Sequence, residues 1–266
     1  PFLFTLCLSF SRVSLIGGLK MNVMKLYNWG KLFFDERYYN ALKNTLLIVG
    51  IGVSVQYLLG LVLAILLNKK TIIKGRAFFR VLFILPMTFS PVAVGYIWRM
   101  LFHVTRGPVN DILVKFGLAP VNWTGNSLTA IYSIILIDIW HWTPLIFLVL
   151  LAALQAIPLE IFEAAEIDGA SEWGKFRFII FPMLIPFSVA LILLRVIEGL
   201  KIIDKIYVLT AGGPGISTES ITLYAYNKGL VSFDLAYGAT ISISLLVMLI
   251  VICVLFLFIL SKFRIS

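Results

Sequence analysis

The sequence predicts an all-α membrane protein, and three observations lead to that prediction. The chain has 266 residues, of which 61% are hydrophobic and only 13% are charged. Its mean hydropathy is +1.01. Its apolar residues form long runs, without the alternation typical of barrel strands. A soluble domain of this length cannot bury so much apolar surface, whereas a lipid bilayer accommodates it.

Five apolar runs are each long enough for a membrane-spanning helix, which needs about 20 residues. They lie at 41–67, 77–102, 128–154, 186–209 and 237–260. The apolar segment 1–8 is too short to cross a bilayer, and we interpret it as the outer end of a first span. A cleaved signal peptide is the alternative, although no basic region or small-residue cleavage site is visible. The prediction is therefore a core of six helices, the first one truncated at the N-terminus.

The charges and the cysteines exclude several classes of function. The net charge is +9, which basic loops facing anionic lipid headgroups explain. Nucleic-acid binding would need a basic patch on a soluble domain, and we expect none. Cys7 and Cys253 both lie in apolar runs and are expected to pack as small hydrophobic residues. With two histidines in the chain, we expect no metal site.

The basic residues also suggest an orientation. Their totals on the two sides are equal, but the dense cluster at 69–80 favours the cytoplasm for its own loop and for the loop at 155–185. Segment 1–40 is then the end of the first span plus an outer interfacial segment rich in aromatic residues. A helix lying in the interface explains those aromatic residues as well as a binding surface does.

A short polar segment between two apolar runs is the most informative part of the chain. Residues 163–171 read Glu-Ala-Ala-Glu-Ile-Asp-Gly-Ala-Ser. Helix formers come first and a glycine follows, so we predict a surface helix of about one to two turns that ends at Gly169. Its carboxylates can pair with basic residues of another protein. An ordinary amphipathic loop is the alternative interpretation.

This segment, together with residues 179–182, resembles the E-A-A, D-G-A, I-x-L-P loop of ABC importer permeases. Phe181 stands where that family usually has leucine. In that family the loop is the coupling helix, which docks into a separate ATPase subunit. The resemblance implies that ATP and Mg are bound by that partner, with no cofactor and no catalytic residue in this chain. The coupling residues that it implies are Glu163, Ala164, Ala165, Asp168, Gly169 and Ala170.

Weaker motifs follow in the order found in the sugar-type (maltose or glycerol-3-phosphate) permeases, over nearly the whole chain. They are N-A-L-x-N-T at 40–45, G-L-x-L-A-x-L-L-N at 60–68, L-Q-A-I-P at 154–158 and G-G-P at 212–214. This resemblance implies a type I ABC transmembrane domain at 41–262 with its coupling loop at 155–185. It also implies a multi-pass subunit of the cell (inner) membrane.

By the same resemblance, the chain is half of the pathway of an ATP-driven importer of mono- or oligosaccharides, or of a polyol phosphate. The implied partners are a second homologous permease, two copies of an ABC ATPase and an extracytoplasmic sugar-binding protein. The chain itself is then not an enzyme. The Gly-Gly-Pro-Gly sequence at 212–215 lacks the Lys-Ser/Thr of a phosphate loop. We predict instead a tight turn at the outer face, where the binding protein docks.

Two other functions remain open from the residues alone. An ion-coupled secondary transporter would have inverted repeats with paired broken helices. No convincing internal repeat is visible, although Pro86, Pro91 and Pro144 could break helices. The second alternative is an ABC permease for a solute other than a sugar, such as an amino acid or a polyamine.

Ionisable residues inside the apolar runs are candidates for the substrate path, because a charge there costs at least about 2.5 kcal/mol. Asp138 forms a polar and aromatic cluster with Trp140, His141 and Trp142. Sugars bind through hydrogen bonds to such polar groups and through contact with aromatic rings. The same residues also suit helix packing, and both interpretations stay open.

A second set of candidates comes from the run that begins at 186. Arg195 and Glu198 are three residues apart and share a helix face, and Lys201 follows at the same spacing. These residues either satisfy one another as ion pairs or line the translocation cavity. In both cases we expect them to face the protein interior and not lipid.

Overall fold

The computed structural model describes residues 1–14, 20–22, 26–68 and 76–263. Most of the basic cluster used above for orientation, at 69–75, lies outside the described residues. Within them the regular secondary structure is helical apart from one antiparallel pair of short strands. Strand β1 (Arg12–Ser14) pairs antiparallel with β2 (Lys20–Asn22), with Val13 opposite Met21.

The helices of the described residues vary from single turns to long spans. In chain order they are α1 (Phe2–Ser9), α2 (Tyr27–Phe33), α3 (Glu36–Asn68), α4 (Arg76–Thr88), α5 (Pro91–Leu101), α6 (Pro108–Lys115), α7 (Ser127–Gln155), α8 (Leu159–Ile167), α9 (Glu172–Lys175), α10 (Phe181–Leu200), α11 (Asp204–Leu209), α12 (Ile221–Tyr226) and α13 (Leu235–Phe263). A π-helical turn, Phe176–Ile180, joins α9 to α10 in one continuous helix, and a second, Asn227–Val231, follows α12.

Four of these helices, within the part of the chain that is described, are long and apolar enough to cross a membrane. They are α3, α7, the continuous helix Glu172–Leu200 and α13. Helices α4 and α5 supply a fifth span if the pair is counted as one, and the pair is bent by 104°. The predicted run at 77–102 is therefore a bent pair of helices. The bend lies where Ser90 caps α5 by accepting a hydrogen bond from the backbone N of Ala93.

The other predicted runs agree with the structure to different degrees. Runs 41–67, 128–154 and 237–260 coincide with α3, α7 and α13. The run at 186–209 is wrong at both ends, because its helix begins at Glu172 and ends at Leu200. Residues after Lys201 turn away and form the separate helix α11. Hydropathy alone does not reveal this turn, since apolar residues continue on both sides of it.

The central contact of the bundle is between α3 and α7. A methyl group added at Gly60 in α3 would lie 2.6 Å from Ile146 Cγ2 in α7. A small residue there lets the two backbones approach closely, which is the usual way that membrane helices pack. Next to this contact, Leu61, Phe147 and Leu150 form part of a core that also includes residues of α10. Helix α1 lies along α13, where Thr240 Oγ1 donates to the Ser9 carbonyl at 3.0 Å.

Candidate functional site

Helix α8 has one face held by the bundle and another face free. Ile161 and Phe162 pack against the core formed by α3, α7 and α10, and Ala165 is buried. Glu163 and Ala164 are exposed. The predicted surface helix is therefore present, and it begins earlier than predicted, at Leu159.

The end of α8 is fixed by a pair of backbone hydrogen bonds. Ala170 N donates to Ala165 O at 2.9 Å, and Gly169 N donates to Glu166 O at 3.1 Å. This is the Schellman pattern, in which the residue after the helix adopts a left-handed conformation. Gly169 has φ +71°, which a glycine adopts without strain. The predicted glycine stop is confirmed.

A lysine ties α8 to the helix that follows. Lys175 Nζ lies 2.9 Å from Glu166 Oε1 and 3.0 Å from Glu172 Oε1. Glu166 is thus paired within the chain, although it is exposed like Glu163 and Asp168. The exposed region also carries Ile167, which is 87% exposed. An apolar side chain presented among carboxylates suits contact with another protein.

Inside the bundle, four side chains from four helices form what we call the buried polar cluster: Gln56, Asp138, Arg195 and Lys205. Asp138 Oδ1 accepts from Lys205 Nζ at 2.6 Å, and its Oδ2 accepts from Arg195 Nη2 at 3.1 Å. Gln56 Nε2 donates to the same Oδ2 at 2.8 Å, and Arg195 Nε donates to Gln56 Oε1 at 3.1 Å. These contacts join α3, α7, α10 and α11.

The buried polar cluster holds two cations and one anion. Arg195 is only 1% exposed, and Lys205 only 2%. Charges at such depth are costly and persist only when they are paired and hydrogen-bonded. The ring of Trp142 adds a cation–π contact, with the Arg195 guanidinium carbon 4.7 Å from its centroid.

A polar cavity of about 210 Å³ adjoins the buried polar cluster. Asp138, Trp142, Arg195 and Lys205 form its inner walls. Its remaining charged lining residues are Glu198, Lys201 and Asp204. Glu198 and Lys201 are half-exposed and pair with each other at 2.7 Å. Arg195 and Glu198 lie on one stretch of α10 but have different partners. Arg195 pairs with Asp138 of another helix, whereas Glu198 pairs with Lys201 three residues further along the chain.

At the end of the bundle opposite α8, the start of α3 holds the loop at 210–220. Asn40 Nδ2 donates to Ile216 O at 2.7 Å, and Asn44 Nδ2 donates to Glu219 O at 3.1 Å. Thr45 Oγ1 accepts from Ile221 N at 3.0 Å. The N-A-L-x-N-T sequence thus has a structural explanation, because its polar residues bond the backbone that follows the Gly-Gly-Pro turn.

The same loop is anchored by a two-bond ion pair. Arg37 Nε and Nη2 donate to the two carboxylate oxygens of Glu219 at 2.7 and 2.8 Å. Beside this pair, Asp35 accepts hydrogen bonds from the hydroxyls of Tyr224 and Tyr237. Burial raises the pKa of Asp35, but those hydrogen bonds outweigh burial and hold that pKa below its ordinary value. Asp35 is therefore held in its ionised form beside the Arg37–Glu219 pair.

We expect Glu219→Gln to destabilise the protein by about 1–3 kcal/mol, because charge-assisted hydrogen bonds to a buried group are lost. The Glu219 side chain is only 2% exposed and also accepts from Asn227. The thermal midpoint of the purified protein measures the effect. Asp234→Asn is the control, since its 3.9 Å pair with Lys31 is exposed and contributes under about 1 kcal/mol. Equal midpoints for the two variants would contradict the anchoring role.

The family model described as the binding-protein-dependent transport system inner membrane component matches residues 56–265. The matched segment begins at Gln56 and contains α8 and the whole buried polar cluster. The chain belongs to this family.

Relatives of known name agree. The trehalose/maltose transport system permease protein of Thermococcus litoralis is 40% identical over 193 residues, or 73% of this chain and 64% of that protein. This chain therefore spans slightly less than two thirds of that relative's length. The arabinooligosaccharides transport system permease protein of Bacillus subtilis is 34% identical over 220 residues, or 82% of this chain and 70% of that protein.

A solved structure has the same fold. The crystal structure of a bacterial alginate ABC transporter, in complex with a periplasmic protein that holds an alginate pentasaccharide, aligns with TM-score 0.79 and 25% identity. The alignment covers 86% of this chain and 80% of that one. The predicted fold, an ABC transporter transmembrane domain of type I, is thereby confirmed. Family membership overturns the alternative of an ion-coupled secondary transporter.

The residues predicted for the substrate path do not all lie together in the structure. Asp138, Trp142, Arg195 and Glu198 surround the polar cavity. Trp140 lies elsewhere, in an apolar groove beside Trp98. His141 is buried, and its Nε2 lies 3.1 Å from the Phe89 carbonyl at the bend between α4 and α5.

Two members of the buried polar cluster were not predicted as site residues. Gln56 is uncharged and lies inside an apolar run, so the cost of burying a charge does not single it out. Lys205 follows Asp204 near the end of the run predicted at 186–209. The same argument that selected Arg195 applies to Lys205, a charged residue inside the predicted apolar run, and would have identified it.

Proposed function

We propose that this chain is one of two homologous permease subunits of an ATP-driven, binding-protein-dependent sugar importer in the cell (inner) membrane. The two permeases enclose the translocation pathway. Two copies of an ABC ATPase dock on them from the cytoplasm, and an extracytoplasmic sugar-binding protein delivers the solute. The chain holds no cofactor of its own, and ATP and Mg belong to the ATPase.

The observation that carries this proposal is the geometry of α8. The helix lies between two spans, and its inner residues pack into the core. Its free surface presents Glu163, Ala164 and Asp168, and Gly169 fixes its end. We assign these residues, together with Ala170, to the ATPase contact. Ala165 is buried, so its role is to seat the helix.

Such an anchored helix can transmit motion. When the ATPase dimer closes on ATP, it pulls the two coupling helices together and opens the cavity to the outside. Hydrolysis then returns the complex to its other state. This is alternating access driven by different contacts in two states.

The cargo is proposed from the relatives and from the site. The two named relatives transport trehalose or maltose and arabinooligosaccharides. The polar cavity beside Asp138 combines charged groups with an aromatic ring, the composition that suits sugars. The names of the relatives therefore favour a neutral sugar or a short oligosaccharide over an amino acid.

The first test is to tag the chain, purify it from its native membrane in mild detergent, and determine subunit ratios by mass spectrometry. We expect one second permease and two ATPase copies for each tagged chain. Purification alone, or as a homo-oligomer without an ATPase, would overturn the proposed assembly. ATP-dependent uptake of maltose, trehalose or arabinooligosaccharides by the reconstituted complex then tests the cargo.

A further inference from the structure

The cavity beside the buried polar cluster has hydrogen-bond donors left over. Both carboxylate oxygens of Asp138 are already engaged, since Lys205 donates to Oδ1 while Arg195 and Gln56 donate to Oδ2. Among the described residues, Arg195 donates hydrogen bonds only through Nε and Nη2. Lys205 uses one of its three N–H groups. Arg195 and Lys205 thus both line the cavity with N–H groups that have no acceptor among the described residues.

The rim of the same cavity supplies acceptors. Glu198 and Asp204 line it, and both are exposed. Counted over all of its walls, the cavity carries three cationic and three anionic side chains. They are Arg195, Lys201 and Lys205, against Asp138, Glu198 and Asp204. The lining is thus polar but has no net charge.

A hydroxyl group both donates and accepts, so donors on one wall and acceptors on the other match a polyol. The cavity volume of about 210 Å³ is below the about 300–1,000 Å³ of pockets that hold drug-sized ligands. It has room for a single sugar ring. A carboxylate only accepts, and at the rim it would face the like charges of Glu198 and Asp204.

We infer that this cavity binds one ring of an uncharged sugar and selects against the corresponding sugar acid. Arg195 and Lys205 donate to the ring hydroxyls, and Glu198 and Asp204 accept from them. Trp142 is a positioning residue, because its ring holds the Arg195 guanidinium in place. This inference rests on the proposed function and adds to it the class of sugar and the role of Lys205.

The test uses pairs of ligands that differ only at C6. The complete complex of this permease with its partner permease and ATPase is placed in nanodiscs, without binding protein. Binding of glucose against glucuronate, and of galactose against galacturonate, is measured by equilibrium dialysis with labelled sugars. We expect at least one neutral sugar to bind, and to bind at least about tenfold more tightly than its acid. An acid that binds as well as its neutral partner, or no binding by either neutral sugar, overturns the inference.

Lys205→Met tests the assigned donor. It leaves Asp138 paired with Arg195, so the protein retains a balanced buried pair. We expect binding of the neutral sugar to weaken by about tenfold or more, because a charge-assisted hydrogen bond is lost. Lys115→Met, at an exposed lysine of α6, is the matched control and should leave binding unchanged. Unchanged binding in Lys205→Met overturns the role of Lys205.

The outcome is separable from the proposed function. ATP-dependent sugar uptake by the unaltered complex supports the importer whatever the dialysis shows. Uptake together with unaltered binding in Lys205→Met would mean that the sugar crosses elsewhere. Absence of ATP-dependent uptake of every sugar tested would overturn the importer proposal itself.

Discussion

We expect Asp138→Asn to lower the amount of folded protein in the membrane to a small fraction of that of the unaltered chain. The substitution leaves Arg195 and Lys205 buried without their carboxylate, although both had hydrogen bonds to it. Removing one partner of a buried ion pair costs about 3–5 kcal/mol, because an uncompensated charge remains. Native proteins typically have a total stability of about 5–15 kcal/mol, so the loss is a large share of that range.

The buried polar cluster has two cations and one anion, so substitutions at its three charged positions should destabilise the protein by unequal amounts. Lys205→Met and Arg195→Met each leave one cation paired with Asp138, at 3.1 Å and 2.6 Å respectively. Both should therefore destabilise the protein less than Asp138→Asn does. Adding Lys205→Met to Asp138→Asn should partly restore stability, since one unpaired cation is removed. Such non-additivity is the signature of residues in direct contact.

Fluorescence-detected size-exclusion chromatography of membrane extracts measures folded protein, and thermal midpoints of purified variants give the ranking. Equal losses for all three single variants would mean that side-chain size, and not charge pairing, sets the effect. Failure of the double variant to improve on Asp138→Asn would contradict the ion-pair interpretation directly.

The buried polar cluster shows how far sequence reasoning reaches in such a protein. The cost of a charge in an apolar run was enough to select Asp138 and Arg195 as candidates. That cost does not indicate that the two residues contact each other, because they are 57 residues apart and the contact depends on how α7 and α10 cross. Lys205 lies after a turn that hydropathy does not reveal, and the sequence therefore did not place it beside Asp138.

Helix α8 was predictable because its determinants are local. Helix formers, a glycine and the residues between them specify both the helix and its end within one short segment. The bend of 104° between α4 and α5 was only partly predictable. Pro86 and Pro91 mark the place, but the angle depends on contacts with other helices. The tie between Lys175 and Glu166 also depends on how α9 folds back, although the two residues are nine apart.

Gly169→Val is expected to leave the protein in the membrane but to uncouple ATP hydrolysis from transport. The φ of +71° costs a residue with a side chain about 1–2 kcal/mol, and a β-branched residue is at the unfavourable end of that range. That energy lowers the population of the native helix end by about five- to thirtyfold. No atom lies within 4 Å of the added Cβ, so the defect is one of backbone conformation and not of packing. The ratio of sugar taken up to ATP hydrolysed in proteoliposomes measures it.

Gly117 provides a matched control for that experiment. It ends α6 with the same pair of hydrogen bonds, Leu118 N to Leu113 O and Gly117 N to Val114 O, both at 2.9 Å. Its φ is +77°, and nothing lies within 4 Å of an added Cβ. Gly117→Val therefore imposes the same backbone strain on a helix that has no proposed contact with the ATPase. If it lowers the transport-to-hydrolysis ratio as much as Gly169→Val does, helix-end strain in general is responsible and the coupling role of Gly169 is contradicted. If only Gly169→Val lowers the ratio, the shape of the α8 end is what links ATP hydrolysis to movement of the sugar.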